Sequence, residues 1–174
     1  MNINLTASFF PLSLLLLLMS AACGGKPGQA GNDLPVTLRS PEGRVEVRIT
    51  ANGGVNGNSL AYDVSFDGRT VLSDSPLGVV LAGNDVIAEN LTLESVKRGS
   101  KDETYSVPCG KTEKHRNRYT EAILNLSDSR GRKMTLIFRA YDDGSAFRYA
   151  FPRQEAQATL RISGERSGFS FSGD

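Results

Sequence analysis

LAYDVSFDGRTVL, residues 60–72, decides the fold class. Leu60, Tyr62, Val64 and Phe66 alternate with Ala61, Asp63 and Ser65, a period of two that sends alternate side chains to opposite faces of an extended chain. Asp67-Gly68 then leads into TVL, the signature of a short hairpin. The same period extends in both directions. GRVEVRIT (residues 43–50) sets Val45, Val47 and Ile49 against Glu46 and Arg48, and VIAENLTLESV (86–96), EAILNLS (121–127), KMTLIFRAY (133–141), SAFRYAF (145–151) and ATLRIS (158–163) continue the series. Between these runs stand SPEG (40–43), ANGGVNGN (51–58), DSPLG (74–78), DSRGR (128–132) and DDG (142–144), turn chemistry that supplies positive or fixed φ. No segment sustains a helical stripe over three turns. Many short strands separated by turns predict an all-β, antiparallel β-sandwich. SGERSGFSFSGD (163–174) reads as a last strand, with Phe169 and Phe171 alternating with serines and no closing element after it. The sandwich is therefore expected to be incomplete at its C-terminus.

The 174 residues suffice for one ordinary domain. The chain opens MNINLTASFFPLSLLLLLMSAACGG. Its apolar run at 9–19 is too short for a comfortable helix across a hydrocarbon core of about 30 Å. Ser20, Ala21, Ala22 and then Cys23 follow, so residues 1–22 read as a secretion signal. Small residues directly before a cysteine resemble a bacterial lipoprotein signal, with Cys23 as the lipid anchor, although Ser20 stands where that pattern usually has Leu. GGKPGQAGND (24–33) is Gly- and Pro-rich, so residues 23–33 read as a flexible tether, and the folded body as 34–174. This reading places the chain outside the cytoplasm, in the periplasm or at the outer membrane, held to a membrane by lipid. All 20 basic and 19 acidic residues follow the signal, for a formal net charge of +1, which argues against a nucleic-acid partner. With Cys23 acylated, Cys109 has no disulfide partner in the chain.

KDETYSVPCGKTEKHRNRY (101–119) gathers the residue types that do chemistry. One His and one available Cys fall short of a His/Cys metal site. His115, among Lys111, Lys114, Arg116 and Arg118, reads as a solvated histidine, not the base of a Cys109–His115 pair. Cys109, between Pro108 and Gly110, reads as a small buried hydrophobe at a turn. Asp102 and Glu103 are adjacent, and adjacent residues on a strand face opposite ways, which does not suit the paired carboxylates of glycoside hydrolysis. Asp142-Asp143-Gly144 lacks the further oxygens of a calcium loop and reads as a hairpin turn. GGVNGN precedes a strand, so no helix N-terminus is present to hold phosphate. The residues alone make 101–119 a long polar loop, able to bind but without a complete catalytic set.

SPEGRVEVRIT, LAYDVSFDGRTVLSDSPLGVVL, DETYSVPCGKTEKHRNRYTEAILNL and LIFRAYDDGSAFRYAFP together resemble, in this order, the N-terminal domain of glycoside hydrolase family 97. The resemblance runs from about Ser40 to Asp174, with FRAYDDGSAFRY and DETY…GK…RNRY its most specific pieces; Cys109 departs from it where a tryptophan is expected. It implies a supersandwich-like β domain that packs on a catalytic β/α barrel in exported bacterial α-glucosidases and α-galactosidases. It also implies calcium in the full-length enzyme, and a chain that stops before the barrel. No catalytic or metal-binding residue of the family falls on a position of this chain. The matching loop residues Tyr105, Arg116, Arg118 and Tyr119 are expected to lie near carbohydrate. Arg139 and Arg148 are expected to be structural, paired with Asp142 or Asp143. A stand-alone glycan-binding lipoprotein is the alternative.

Overall fold

The computed structural model describes residues 34–54, 57–83, 85–87, 89–108, 113–154 and 159–173. The predicted lipid anchor Cys23, the signal and tether, and Cys109 lie outside the described residues. Eleven strands are described: β1 (Val36–Arg39), β2 (Val45–Gly54), β3 (Gly57–Phe66), β4 (Arg69–Pro76), β5 (Val79–Leu81), β6 (Asp85–Ile87), β7 (Thr92–Ser106), β8 (Lys114–Ser127), β9 (Lys133–Tyr141), β10 (Gly144–Ala150) and β11 (Ile162–Glu165). They form two four-stranded sheets, β1-β2-β3-β4 and β10-β9-β8-β7, and a smaller sheet β11-β5-β6. All pairings are antiparallel. The predicted antiparallel β-sandwich is the fold observed.

The alternation read from the sequence is what closes the core. Val45, Val47 and Ile49 of β2, with Leu60, Tyr62 and Val64 of β3, point inward to meet Leu124 and Leu126 of β8 and Met134, Leu136 and Phe138 of β9. Leu77, Val79, Leu81 and Ile87 join the same cluster, so the third sheet covers one end of it. β1 packs over β8 and β9, and β2 over β9 and β10. Three rings span the gap between the large sheets: Phe138 lies 5.5 Å from Tyr62 and 5.3 Å from Phe147, and Tyr62 is 5.5 Å from Phe147.

Turn chemistry held where it was strongest. Asp67 and Gly68 both take positive φ, 46° and 78°, the two-residue turn whose twist suits a hairpin. Asp128 Oδ1 accepts the amides of Arg130 and Arg132 at 2.9 and 2.8 Å, an Asx arrangement closing DSRGR. Asp142-Asp143 is the β9–β10 turn, with Tyr141 opposite Gly144.

Four segments differ from expectation. ANGGVNGN is mostly ladder, for Gly53 pairs with Asn58 and Gly54 with Gly57; interstrand hydrogen bonds do not require side chains, so a Gly/Asn-rich stretch can extend a hairpin. DSPLG is not a turn at its start: β4 continues to Pro76 through a register shift, with Asp74 at φ 50°, a bulge in a strand. VIAENLTLESV is broken at Asn90, φ 53°, so β6 and β7 belong to different sheets. The last segment forms no full strand. Beyond β11 it runs beside β4, where Ser73 N–H donates to Ser170 O (2.9 Å) and Ser172 N–H to Val71 O (3.0 Å). Tyr62 Oη donates to Gly168 O at 3.1 Å, and Tyr149 Oη bonds Ser167 Oγ at 2.7 Å while accepting the Gly78 amide at 2.9 Å. Burial raises the pKa of both phenols, and hydrogen bonding satisfies each hydroxyl.

Candidate functional site: the base of the β7–β8 arm

Residues 101–119 do not form a polar loop. β7 and β8 pair from Thr92↔Ser127 out to Ser106↔Lys114, whereas β9 joins β8 only from Thr120 inward. The distal six residues of each strand therefore make a two-stranded arm. Its sequence looked like loop because the arm lies past the core and has no apolar face to bury; cross-strand charge pairs replace it.

Strand alternation sorts the arm's side chains onto two faces. Asp102, Thr104, Arg116 and Arg118 share the face that carries Ala122 and Leu124 into the core, while Lys101, Glu103, Tyr105, His115, Asn117 and Tyr119 share the other. The four residues expected near carbohydrate are thus divided in pairs. Arg116 and Arg118 come together. Tyr105 and Tyr119 face away from them.

On the arginine face, Arg116 grips Asp102 with both nitrogens of its fork, Nε to Oδ1 at 2.8 Å and Nη2 to Oδ2 at 2.7 Å. Arg118 Nη1 donates to Glu42 Oε1 at 2.8 Å and stands 3.7 Å from Asp142 Oδ2. Asp142 Oδ1 in turn accepts the Glu42 amide at 2.7 Å. Beside them Arg44 forks onto Asp67 at 3.2 and 2.9 Å and lies 4.5 Å from the centre of the Phe66 ring. The Thr120 hydroxyl reaches Arg39 O, and Arg98 Nη1 reaches Thr37 O at 2.7 Å, which anchors the arm to β1. Glu42, Arg44, Arg116, Arg118, Tyr141, Asp142 and Asp143 line an open groove of about 380 Å³. Glu42, Arg44 and Asp142 were not read as groove residues because they belong to the β1–β2 and β9–β10 turns. Only the closed sandwich brings those turns to the arm.

Three carboxylates here, Asp67, Asp102 and Asp142, are held below their ordinary range. The hydrogen bond from Arg116, and then its charge, lower the pKa of Asp102; Arg44 does the same for Asp67. For Asp142 burial alone acts upward, but the Glu42 amide, Ser40 and Arg118 outweigh it and the net shift is down. A carboxylate held below its ordinary range is a poor proton donor at neutral pH. The groove instead offers guanidinium donors and carboxylate acceptors, a hydrogen-bonding surface for polyhydroxylated molecules.

The opposite face is a packed layer. Tyr119 is buried beneath the Arg139 guanidinium, 4.2 Å from its ring centre, and lies 5.4 Å from Tyr141. Arg139 is structural as expected, but its partner is Glu121 at 2.7 Å, not Asp142 or Asp143, because Arg139 and Glu121 are directly opposed across β8 and β9. Tyr105 is exposed near the arm's end, stacked on His115 at 5.8 Å.

Among the described residues no three His, Cys, Asp or Glu gather where they could hold a metal ion. The groove's Glu42 and Asp142 both turn to Arg118, so the described residues do not fit the calcium that the resemblance implies.

A family model described as glycosyl-hydrolase 97 N-terminal matches residues 38–174. The chain belongs to this family. The expected family 97 kinship is thereby borne out. The chain is 31% identical over 138 residues to a retaining alpha-galactosidase of Bacteroides thetaiotaomicron, which covers 79% of this chain and 19% of that protein. A probable retaining alpha-galactosidase of Streptomyces bingchenggensis is 31% identical over 140 residues, 80% of this chain and 20% of that one. Among solved structures, a beta-arabinopyranosidase superposes with a TM-score of 0.71 at 29% identity, over 79% of this chain and 21% of its own. A family 97 enzyme from Pseudoalteromonas sp. strain K8, in complex with panose, shares the fold with a TM-score of 0.69 at 22% identity, over 78% of this chain and 20% of its own. The family 97 chain described here thus spans about a fifth of the length of these relatives.

Proposed function

We propose that this family 97 chain is the carbohydrate-associated N-terminal β-sandwich of an exported glycoside hydrolase acting on α-linked galactosides or glucosides, and that it contributes no catalytic residue. The observation that carries this reading is the groove where Arg116 and Arg118 lie beside Glu42 and Asp142, in a chain whose relatives include retaining alpha-galactosidases. Forked guanidinium donors and ionised carboxylates suit sugar hydroxyls. Asp102 and Asp142, held below the ordinary carboxylate range, suit a part that binds while another part catalyses. The reaction belongs to a catalytic barrel, and calcium to residues outside those described. Residues 1–22 direct export and Cys23 carries the lipid, which holds the protein to a membrane facing the periplasm. Of the four predicted site residues, Arg116 and Arg118 face the sugar, Tyr105 marks the arm's end and Tyr119 supports the sheet from behind.

Titration calorimetry of the protein with melibiose and with maltose tests this. Saturable binding to one of them is expected, weakened at least about tenfold by Arg118→Ala, which removes a charge-assisted donor. Binding that Arg118→Ala and Arg116→Ala leave unchanged, or no binding of either sugar, would contradict it.

A further inference from the structure

We infer that the groove at the arm's base selects its sugar by charge: it prefers a saccharide that carries an ammonium group to a neutral one, and it rejects one that carries a carboxylate. This rests on the reading of that groove as a sugar site.

Arg44, Arg116 and Arg118 line the groove beside Glu42, Asp142 and Asp143. A groove lined by arginines ordinarily suits an anion, because a guanidinium fork matches a carboxylate. Here each guanidinium already has one. Arg116 holds Asp102 by two bonds at 2.8 and 2.7 Å, and Arg44 holds Asp67 by two at 3.2 and 2.9 Å. Arg118 Nη1 stands 2.8 Å from Glu42 and 3.7 Å from Asp142. Asp143 is exposed and has no ion-pair partner among the described residues. Three guanidiniums therefore meet five carboxylates, an excess of two negative charges. The further cations of this face are Lys114, toward the arm's tip, and Arg98, bonded to Thr37 O; neither lines the groove.

The arginines themselves register this field. Hydrogen bonds to Asp67 and Asp102, and then their charges, hold the guanidinium pKa of Arg44 and of Arg116 above the ordinary value, and the charges of Glu42 and Asp142 act on both in the same direction. A guanidinium has five N–H donors, so each keeps some for neutral hydroxyls although its charge is compensated. An incoming carboxylate meets a different situation. It must either displace a carboxylate already seated on its arginine or remain beside the negative excess, and specificity by repulsion follows. An incoming ammonium finds Asp143 and the same excess in its favour.

Titration of the isotope-labelled protein with three methyl α-galactosides, followed by amide chemical shifts, tests this. The three sugars differ at one carbon, which bears a hydroxymethyl, an aminomethyl or a carboxylate group. At about pH 6 the amine is protonated and the carboxyl ionised. In low salt the aminomethyl sugar should bind about threefold tighter than the neutral one, the scale of an exposed ion pair, and the carboxylate sugar at least about threefold weaker. Salt at about 1 M, which screens charges beyond about 3 Å, should bring the three affinities together. Asp143→Asn should remove the aminomethyl advantage. Glu42→Gln combined with Asp142→Asn should leave Arg118 uncompensated while keeping an oxygen for the backbone amide of residue 42, and should turn the preference toward the carboxylate sugar. Three results would overturn the proposal and leave the sugar site standing: a carboxylate sugar that binds the unsubstituted protein as tightly as the neutral one, an aminomethyl sugar that gains nothing, or an order of affinities that survives high salt. Binding of none of the three sugars would overturn both.

Discussion

Replacing Phe138 by Ala tests whether the two large sheets share one core. The ring has 0% of its surface exposed, on the central strand β9, and contacts Tyr62 at 5.5 Å and Phe147 at 5.3 Å, one from the opposite sheet and one from its own. Truncation removes a buried ring and leaves a cavity, worth about 3–5 kcal/mol. The two aromatic contacts, at roughly 0.5–1.5 kcal/mol each beyond area, place the expectation at the upper end of that range. A domain's whole stability is typically about 5–15 kcal/mol, so the variant should be near its unfolding threshold at 37 °C. Phe138→Leu keeps most of the volume and should lose far less. Urea unfolding followed by far-ultraviolet circular dichroism gives the difference from the midpoint at constant slope. A loss under about 1 kcal/mol for Phe138→Ala would refute the reasoning, because it would mean that Phe138 is not pressed between two closed sheets.

Gly68→Ala, at φ 78° with open space around the Cβ position, should cost about 1 kcal/mol from backbone strain alone, read from the same denaturation midpoint. Tyr149→Phe should cost about 1–2 kcal/mol, since the Gly78 amide and Ser167 lose their common partner, and should speed amide exchange at Gly78. Asp67, Asp85, Asp102, Glu103 and Asp142 all have pKa values lowered in the folded state. Their contribution is therefore fully present above the unfolded carboxylate pKa of about 4 and is lost as pH falls through the lower folded values. The unfolding midpoint should stay level from pH 8 to 5 and fall below that; a decline that begins between pH 7 and 6 would contradict this.

The sandwich was legible because its strands alternate strictly wherever one face enters the core, as Val45–Ile49, Leu60–Val64 and Met134–Ala140 do. The arm was not, because Lys101–Ser106 and Lys114–Arg118 lie past the core, and a strand with two wetted faces has no apolar period to show. The same physics explains the Gly/Asn-rich end of the β2–β3 hairpin, where backbone pairing continues without a side-chain signal. Arg116 and Arg118 could be singled out by residue type, but their separation from Tyr105 and Tyr119 follows from a register of strand pairing that no local pattern encodes. Glu42, Arg44 and Asp142 could not be read as groove residues for a related reason: two separate turns meet the arm only after the sheets close.

The groove at the arm's base is most directly tested by mapping amide chemical shifts of the isotope-labelled protein as melibiose is added. Saturable shifts are expected to concentrate at Glu42, Arg44, Arg116, Arg118 and Asp142, with little change at Tyr105. Shifts centred on Tyr105 and His115, or none anywhere on the sandwich, would contradict it.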